Sequence, residues 1–202
     1  GNLYNYENAN SFIKNIHFNH CHLVTADGGF DYSNNYNSQE DSSYKLIYSE
    51  IFIALNIQKI NGNFILKVFD LFNYKTIQLL YLLYNFYSII EIYKPLTSRL
   101  SNSEKYIICS QFKGCPKHVK DVLKDYYDKC EELSIDVPQS FIQDIIDYNN
   151  RFVSLQIKSI TEILKNIDCS GSKIPSKKQI SDAIRWCELY NLPINEKCIY
   201  LK

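Results

Sequence analysis

Between residues 22 and 112, short apolar runs rich in β-branched and aromatic residues alternate with segments whose apolar residues recur at helical spacing. His22-Leu23-Val24-Thr25-Ala26 reads as a buried strand that stops at the turn signal Asp27-Gly28-Gly29. Tyr44 to Ile60 places Leu46, Ile47, Ile51, Ala54 and Leu55 on one helical stripe, with Ser42 or Ser43 as cap and Asn61-Gly62 as stop. Asn63 to Phe69 is a second strand, interrupted only by Lys67. Tyr74 to Phe86 is a helix, Ser88 to Tyr93 a strand, Lys94 to Ser103 a loop containing Pro95, and Lys105 to Phe112 a strand. The order strand, helix, strand, helix, strand, strand predicts an α/β fold with a mainly parallel sheet covered on both faces. Only a polar loop separates the last two strands, too short for a crossover helix, so they pair antiparallel.

The flanks differ in style. Residues 1–19 are polar and Asn-rich, with a helix expected near Asn10 to Asn19, and 31–43 is a polar loop. Beyond Gly114, amphipathic helices are expected over His118–Leu133, Pro138–Tyr148, Phe152–Ile167 and Lys177–Tyr190, broken by Pro138, Asn149-Asn150 and a Ser170-to-Pro175 linker. These patterns predict an α/β part over 1–114 and an α-helical extension over 115–202, packed on it as one folded unit.

Charge and composition narrow the function. Lys and Arg number 22 and so do Asp and Glu, so no net basic charge draws the chain to nucleic acid; such binding needs a local patch. No run of 18 apolar residues suggests a membrane span. No basic region precedes an apolar one at the start, as a secretory signal would require. The seven Cys are odd in number and form no Cys-x-x-Cys pair, which fits free thiols better than a disulfide framework or zinc site. His17, His20, Cys21 and His22 have metal-ligand types, but His22 opens a strand and no fourth ligand is spaced for zinc. There is no Met, and Gly1 falls in mid-pattern, so the chain is expected to be a piece of a longer protein.

Three ionisable residues stand where an α/β sheet keeps its active site, at the carboxyl ends of strands. Asp27 follows the first strand and Lys67 lies near the end of the second. Glu104 precedes the last, oppositely directed strand, which brings it to the same edge. Lys67 interrupts a run where a buried strand favours a hydrophobe. It either snorkels past an edge or works at the mouth of the sheet.

Three strings follow one another: Leu23-Val24-Thr25-Ala26-Asp27-Gly28-Gly29-Phe30, Phe64-Ile65-Leu66-Lys67-Val68-Phe69-Asp70-Leu71-Phe72, and Lys94-Pro95-Leu96-Thr97-Ser98-Arg99 through Asn102-Ser103-Glu104-Lys105-Tyr106. Together they resemble the FtsJ-like ribose 2′-O-methyltransferases, which have a Rossmann-like methyltransferase sheet. The Ala-Asp-Gly-Gly-Phe string points to the branch acting on capped mRNA. Ser154-Leu155-Gln156-Ile157-Lys158 looks like the segment that follows the family's catalytic domain.

The resemblance implies a Lys-Asp-Lys-Glu tetrad whose last three members are Asp27, Lys67 and Glu104. The first Lys and the Gly-rich turn that binds S-adenosylmethionine are expected upstream of this chain, in another part of the same protein. Asp27 and Gly28 would then form one wall of the cofactor site, with Asp27 holding the upstream Lys and orienting the methyl donor. Asn37, Gln39 and Glu40 match an Asn-x-Gln-Glu string that borders the pocket for the methylated guanine of the cap. Thr97, Ser98, Arg99 and Ser103 lie on the loop beside Glu104, where Arg99, one of three Arg in the chain, could clamp a phosphate. Tyr32 and Tyr36 could stack on a base, although 17 Tyr make ordinary exposed tyrosines the better reading. Trp186 reads as core of the helical extension.

The residue types suit the chemistry. A ribose 2′-hydroxyl must lose its proton as it attacks a sulfonium methyl, and Lys67 is the candidate general base. An ordinary lysine amine has a reference pKa of about 10.4, so keeping one neutral at pH 7 costs roughly 4.6 kcal/mol. Burial with a nearby cation can remove most of that cost. A carboxylate works the other way, so Glu104 is assigned to positioning. Capped mRNA in the nucleus is the expected substrate. Other RNAs, the second cap nucleotide, or a non-catalytic RNA- or partner-binding module remain alternatives. The helical extension is open to RNA, another domain or the transcription machinery.

Overall fold

The structure, a computed structural model, describes residues 2–16, 21–30, 38–129, 131–165 and 174–201. Two compact units are present, Gly1–Lys158 and Ser159–Lys202. The change of pattern near residue 115 marks the end of the sheet, whereas the division between units falls at Lys158.

In the first unit the elements are α1 (Tyr6–Asn15), β1 (Cys21–Ala26), α2 (Gln39–Ile57), β2 (Gln58–Val68), α3 (Tyr74–Phe86), β3 (Tyr87–Tyr93), β4 (Lys105–Phe112) and α4 (Lys117–Tyr126). They are followed by α5 (Gln139–Lys165), which begins in this unit. The strand order is β1-β2-β4-β3. β1 and β2 pair parallel, while β4 pairs antiparallel with both β2 and β3. Three strands therefore point the same way and β4 runs against them, so the sheet is mixed.

One face of this sheet is closed. Phe64, Leu66, Val68, Ile107 and Cys109 have no exposed surface and join Ile51 and Leu55 of α2 and Leu79 and Leu83 of α3 in one core. Burying a Leu- or Phe-sized side chain contributes roughly 1.5–3 kcal/mol, so this face anchors the unit. The opposite face is not covered in the same way among the described residues. Ile65, Lys67, Tyr106 and Ile108 are half-buried, and Leu23, Ile89 and Tyr93 are exposed. The expectation of two covered faces is corrected accordingly.

Element ends show which local forces won. α1 starts four residues before its expected position because the Asn5 side chain caps it, accepting from the Glu7 and Asn8 amides. α2 starts at Gln39, so Gln39 and Glu40 lie on a helix rather than in the polar loop. It ends at Ile57, and Asn61-Gly62 falls inside β2, where Asn61 adopts a left-handed φ of 65°. The β1–β2 register shifts alongside, between Cys21 and Leu23, as a bulge does. α4 stops at Tyr126 instead of Leu133 because the following backbone is held by Gln78 of α3. That side chain donates to the Leu133 and Ile135 carbonyls at 2.6 and 3.0 Å and accepts from the Leu133 amide at 3.1 Å.

The two helices expected on either side of Asn149-Asn150 are one, α5. No Pro or Gly interrupts Gln139–Lys165, and Asn149 turns its amide to the Leu71 carbonyl, 2.8 Å away, instead of ending the helix. Leu123, Tyr127, Leu133, Val137 and Ile145 join the same core as the sheet, so the chain from α4 into α5 folds with it.

The second unit contains α6 (Lys177–Leu189), closed at its start by a capping box between Ser176 and Gln179, and a 3₁₀ turn at Ile199–Leu201. No residue of α6 is buried; Trp186 is half-buried against Tyr190, with ring centroids 5.1 Å apart, and is not a core residue. Among the described residues Cys21, Cys109, Cys115, Cys187 and Cys198 are free thiols. No helix among them is long and apolar enough to cross a membrane.

Candidate active site

The parallel β1–β2 ladder places Ala26 beside Leu66, so Asp27, just past β1, and Lys67 of β2 meet at the carboxyl edge of the sheet. Lys67 Nζ lies 2.7 Å from Asp27 Oδ1 and 3.2 Å from the Asp27 carbonyl. The lysine side chain is 14% exposed and the aspartate 69%, so one partner is drawn in while the other faces solvent. On the other side Lys67 is in register with Tyr106, and Tyr106 with Tyr93. Asp27, at the end of β1, thus continues a row of Lys67, Tyr106 and Tyr93 across β2, β4 and β3 on the half-open face.

Glu104 joins this row through Tyr106, whose hydroxyl donates to Glu104 Oε1 at 3.3 Å. Partial burial, then the Glu104 and Asp27 carboxylates, hold the Tyr106 phenol above its ordinary range. The sequence placed Asp27, Lys67 and Glu104 at one edge, and the structure brings them there. Asp27 pairs with Lys67 itself, the cation within this chain, where a second lysine was expected as its partner. Tyr106 was not foreseen, although its parity with Lys67 across an antiparallel ladder is the signal that would have found it.

The turn after β1 is held from behind by Glu50 of α2. Its Oε1 accepts from the Gly28 amide at 3.0 Å, and the residue is only 8% exposed. Burial pushes the Glu50 carboxyl up to about 7; the Gly28 hydrogen bond and Lys67 oppose that rise, and Asp27 adds to it. A Cβ at Gly28 would stand 2.5 Å from Glu50 Oε1 and 2.6 Å from Leu46 Cδ2, so a side chain there would push Glu50 and Leu46 aside. Gly28 was expected to meet a cofactor. Its amide is instead spent inward on Glu50, so any contact it makes with a ligand comes from the rest of its backbone. A Cβ on Gly29 would lie 3.2 Å from Lys67 Nζ, so that glycine leaves room for the amine.

The loop before β4 is built on two further lysines. Lys105, 1% exposed, donates to the Phe69 and Ser103 carbonyls at 2.8 and 2.9 Å, faces Asp70 Oδ1 at 3.6 Å and lies 4.4 Å from the Phe152 ring centroid. Burial lowers its amine to about 8 against the pull of Asp70. Lys94 donates to Asn102 and, at 2.6 Å, to the Glu104 carbonyl, and burial lowers its amine too. Gln156 of α5 donates to the Ser101 carbonyl at 3.3 Å, so the Ser154–Lys158 string braces this loop.

The expected RNA-facing residues divide. Thr97 and Arg99 are exposed, and Ser98 is half-buried, its hydroxyl without a partner among the described residues. Ser103 is buried and donates to Gln39 Oε1 at 2.9 Å, tying the β4 loop to α2. Glu40 is 7% exposed and accepts from the Phe72 amide at 3.0 Å and the Asn73 amide at 2.9 Å. Its burial, the largest influence, raises its carboxyl despite these bonds. Glu40, expected on a loop bordering a cap pocket, braces the Asp70–Asn73 loop from the interior. Asn37, Tyr32, Tyr36, His17 and His20 lie outside the described residues.

Residues 1–112 match the model of the FtsJ-like methyltransferases. The chain is 33% identical over 181 residues to cap-specific mRNA (nucleoside-2′-O-)-methyltransferase 1 of Bos taurus and to that of Homo sapiens, covering 81% of this chain and 22% of each relative. It is 36% identical over 148 residues to cap-specific mRNA (nucleoside-2′-O-)-methyltransferase 1A of Caenorhabditis briggsae, covering 63% of this chain and 17% of that one. The chain therefore spans about a fifth of the length of these relatives. A solved chain from Plasmodium falciparum titled a ribosomal RNA methyltransferase aligns with a TM-score of 0.42 at 18% identity, over 52% of this chain and 54% of that one. With more than half its length matching the family and four fifths aligning to such relatives, the chain belongs to the FtsJ-like methyltransferases.

Proposed function

We propose that the protein carrying this chain transfers a methyl group to the ribose 2′-hydroxyl of the first transcribed nucleotide of capped mRNA, in the nucleus, with Lys67 as general base. The observation that carries the reading is the Lys67–Asp27 pair, 2.7 Å apart at the mouth of the sheet, in a chain akin to enzymes named cap-specific mRNA (nucleoside-2′-O-)-methyltransferases. S-adenosylmethionine, bound, would supply an electrophilic sulfonium methyl. The exposed Asp27 carboxylate fits a cationic donor by charge, and Asp27 is the residue of this chain that would hold it.

Lys67 accepts the 2′-hydroxyl proton as the oxygen attacks. To do so its amine must give up the Asp27 carboxylate as a partner, so Asp27 has to turn toward another cation during the reaction. Tyr106, in register with Lys67 on the neighbouring strand, and Glu104, bonded to Tyr106, flank that lysine on its other side. Arg99 and Thr97, exposed beside them, hold a phosphate of the RNA.

The test is methyl transfer to capped and uncapped RNA of one sequence by the whole protein and two variants. Lys67→Ala should lose at least about 100-fold in kcat, the scale of a general base. Lys67→Arg should fail equally, because a guanidinium stays protonated at working pH. Turnover within tenfold of wild type by either variant would refute the base, and equal rates on both RNAs would refute the cap.

A further inference from the structure

Glu50 is a carboxylate where α2 should carry a hydrophobe. It lies four residues after Leu46 and four before Ala54, on the stripe that covers the sheet, and all three are buried. Burying a carboxyl costs free energy that a leucine would not. Its Oε1 accepts from the Gly28 amide at 3.0 Å, and Gly28 follows the aspartate that pairs with Lys67. Gly28 allows this approach only because it lacks a Cβ. The charged groups that act on Glu50 are Lys67 from β2 and Asp27 from the turn after β1.

We infer that Glu50 is a positioning residue of the methyl-transfer site, one that fixes the Asp27–Gly28 turn against Lys67 and adds or withdraws a negative charge behind the base as it titrates. The inference rests on the general-base reading for its kinetic consequence, but not for the contact itself. When ionised, Glu50 places a negative charge near Lys67 and holds the Gly28 amide strongly. When protonated, it still offers an oxygen to that amide but no longer carries that charge. Its carboxyl, lifted to about 7 by burial, makes that change within the working range.

The experiment compares wild type, Glu50→Gln and Glu50→Ala in the whole protein, with two readouts. The first is hydrogen exchange of the peptide spanning residues 24–30. Glu50→Gln keeps an acceptor for Gly28 and should keep its protection, while Glu50→Ala should lose it. The second is kcat against pH. Glu50→Ala should lose about tenfold or more, as misplaced reacting groups do. Glu50→Gln should recover most of that loss, yet remove a wild-type inflection near pH 7. A purely structural glutamate would leave the pH profile of Glu50→Gln unchanged, and that result would overturn the inference. So would unaltered exchange in Glu50→Ala. Altered exchange together with an active Lys67→Ala enzyme would refute the general base and leave Glu50's hold on the turn standing.

Discussion

Replacing Glu50 by Gln should make the fold more stable at neutral and alkaline pH, although the residue serves the site. The carboxyl is raised from 4.5 to about 7 and is 8% exposed, so solvent screening takes little from the effect. A carboxyl whose folded pKa is raised binds its proton more tightly in the folded state. Stability therefore falls as pH climbs from the unfolded value toward the folded one, and stays level above it. A gap of roughly 2.5 units at 1.36 kcal/mol each amounts to about 3 kcal/mol, most of it accumulating between about pH 5 and 7. Glu50→Gln keeps the Gly28 acceptor and has nothing to titrate. Wild type and variant should be equally stable near pH 4.5 and differ by about 3 kcal/mol at pH 8, in the variant's favour. Urea titrations at a series of pH values, followed by hydrogen exchange of the β2 and β4 peptides in the whole protein, measure this. Parallel curves from pH 5 to 8 would refute the burial argument, and with it the claim that the fold bears a cost for this carboxylate.

The same measurement applies to Lys105. Its amine is lowered to about 8 by burial, so the folded state favours the neutral form and stability should rise by about 3 kcal/mol between pH 8 and 10.5, a slope that Lys105→Met should abolish whatever its baseline. Gln78→Ala strands the Leu133 amide and the Leu133 and Ile135 carbonyls and should cost about 3 kcal/mol. Limited proteolysis of that variant should cut first between Tyr127 and Val137, whereas cleavage unchanged from wild type would show that Gln78 does not hold this segment.

The strands were legible because they are short, apolar and bounded by polar turns. α3 and β4 fall where the sequence put them, since Asn73 precedes the one and Glu104 the other, and each boundary breaks an apolar run. Boundaries failed where a side chain acted at a distance. Gln78 holds the backbone after α4 through Leu133, 55 residues away, and nothing local to Asn149 reveals that the Leu71 carbonyl will take its amide. The open sheet face was equally hidden. Ile65, Lys67, Tyr106 and Ile108 alternate with fully buried neighbours, a half-buried pattern, but the runs read as continuous because apolar residues occupy both parities.

At the site, the sequence exposed the residues that interrupt a run and hid those that sit on its buried side. Lys67 stands out within β2, and Asp27 and Glu104 flank strands, so all three are visible. Glu50 and Lys105 occupy positions whose spacing assigns them to the core: Glu50 in step with Leu46 and Ala54, Lys105 in step with Ile107 and Cys109. A periodicity argument passes over such residues, because the stripe survives one polar member. Each can remain there only with dedicated partners, and each has them at the mouth of the sheet: the Gly28 amide for Glu50, and the Phe69 and Ser103 carbonyls for Lys105. The two buried charges therefore fasten the three loops that carry Asp27, Asp70 and Glu104 to the rigid interior. This gives a rule that reaches beyond spacing. In such a sheet, an ionisable residue in phase with the core near the carboxyl ends of strands marks the support of the site, and one out of phase marks its chemistry.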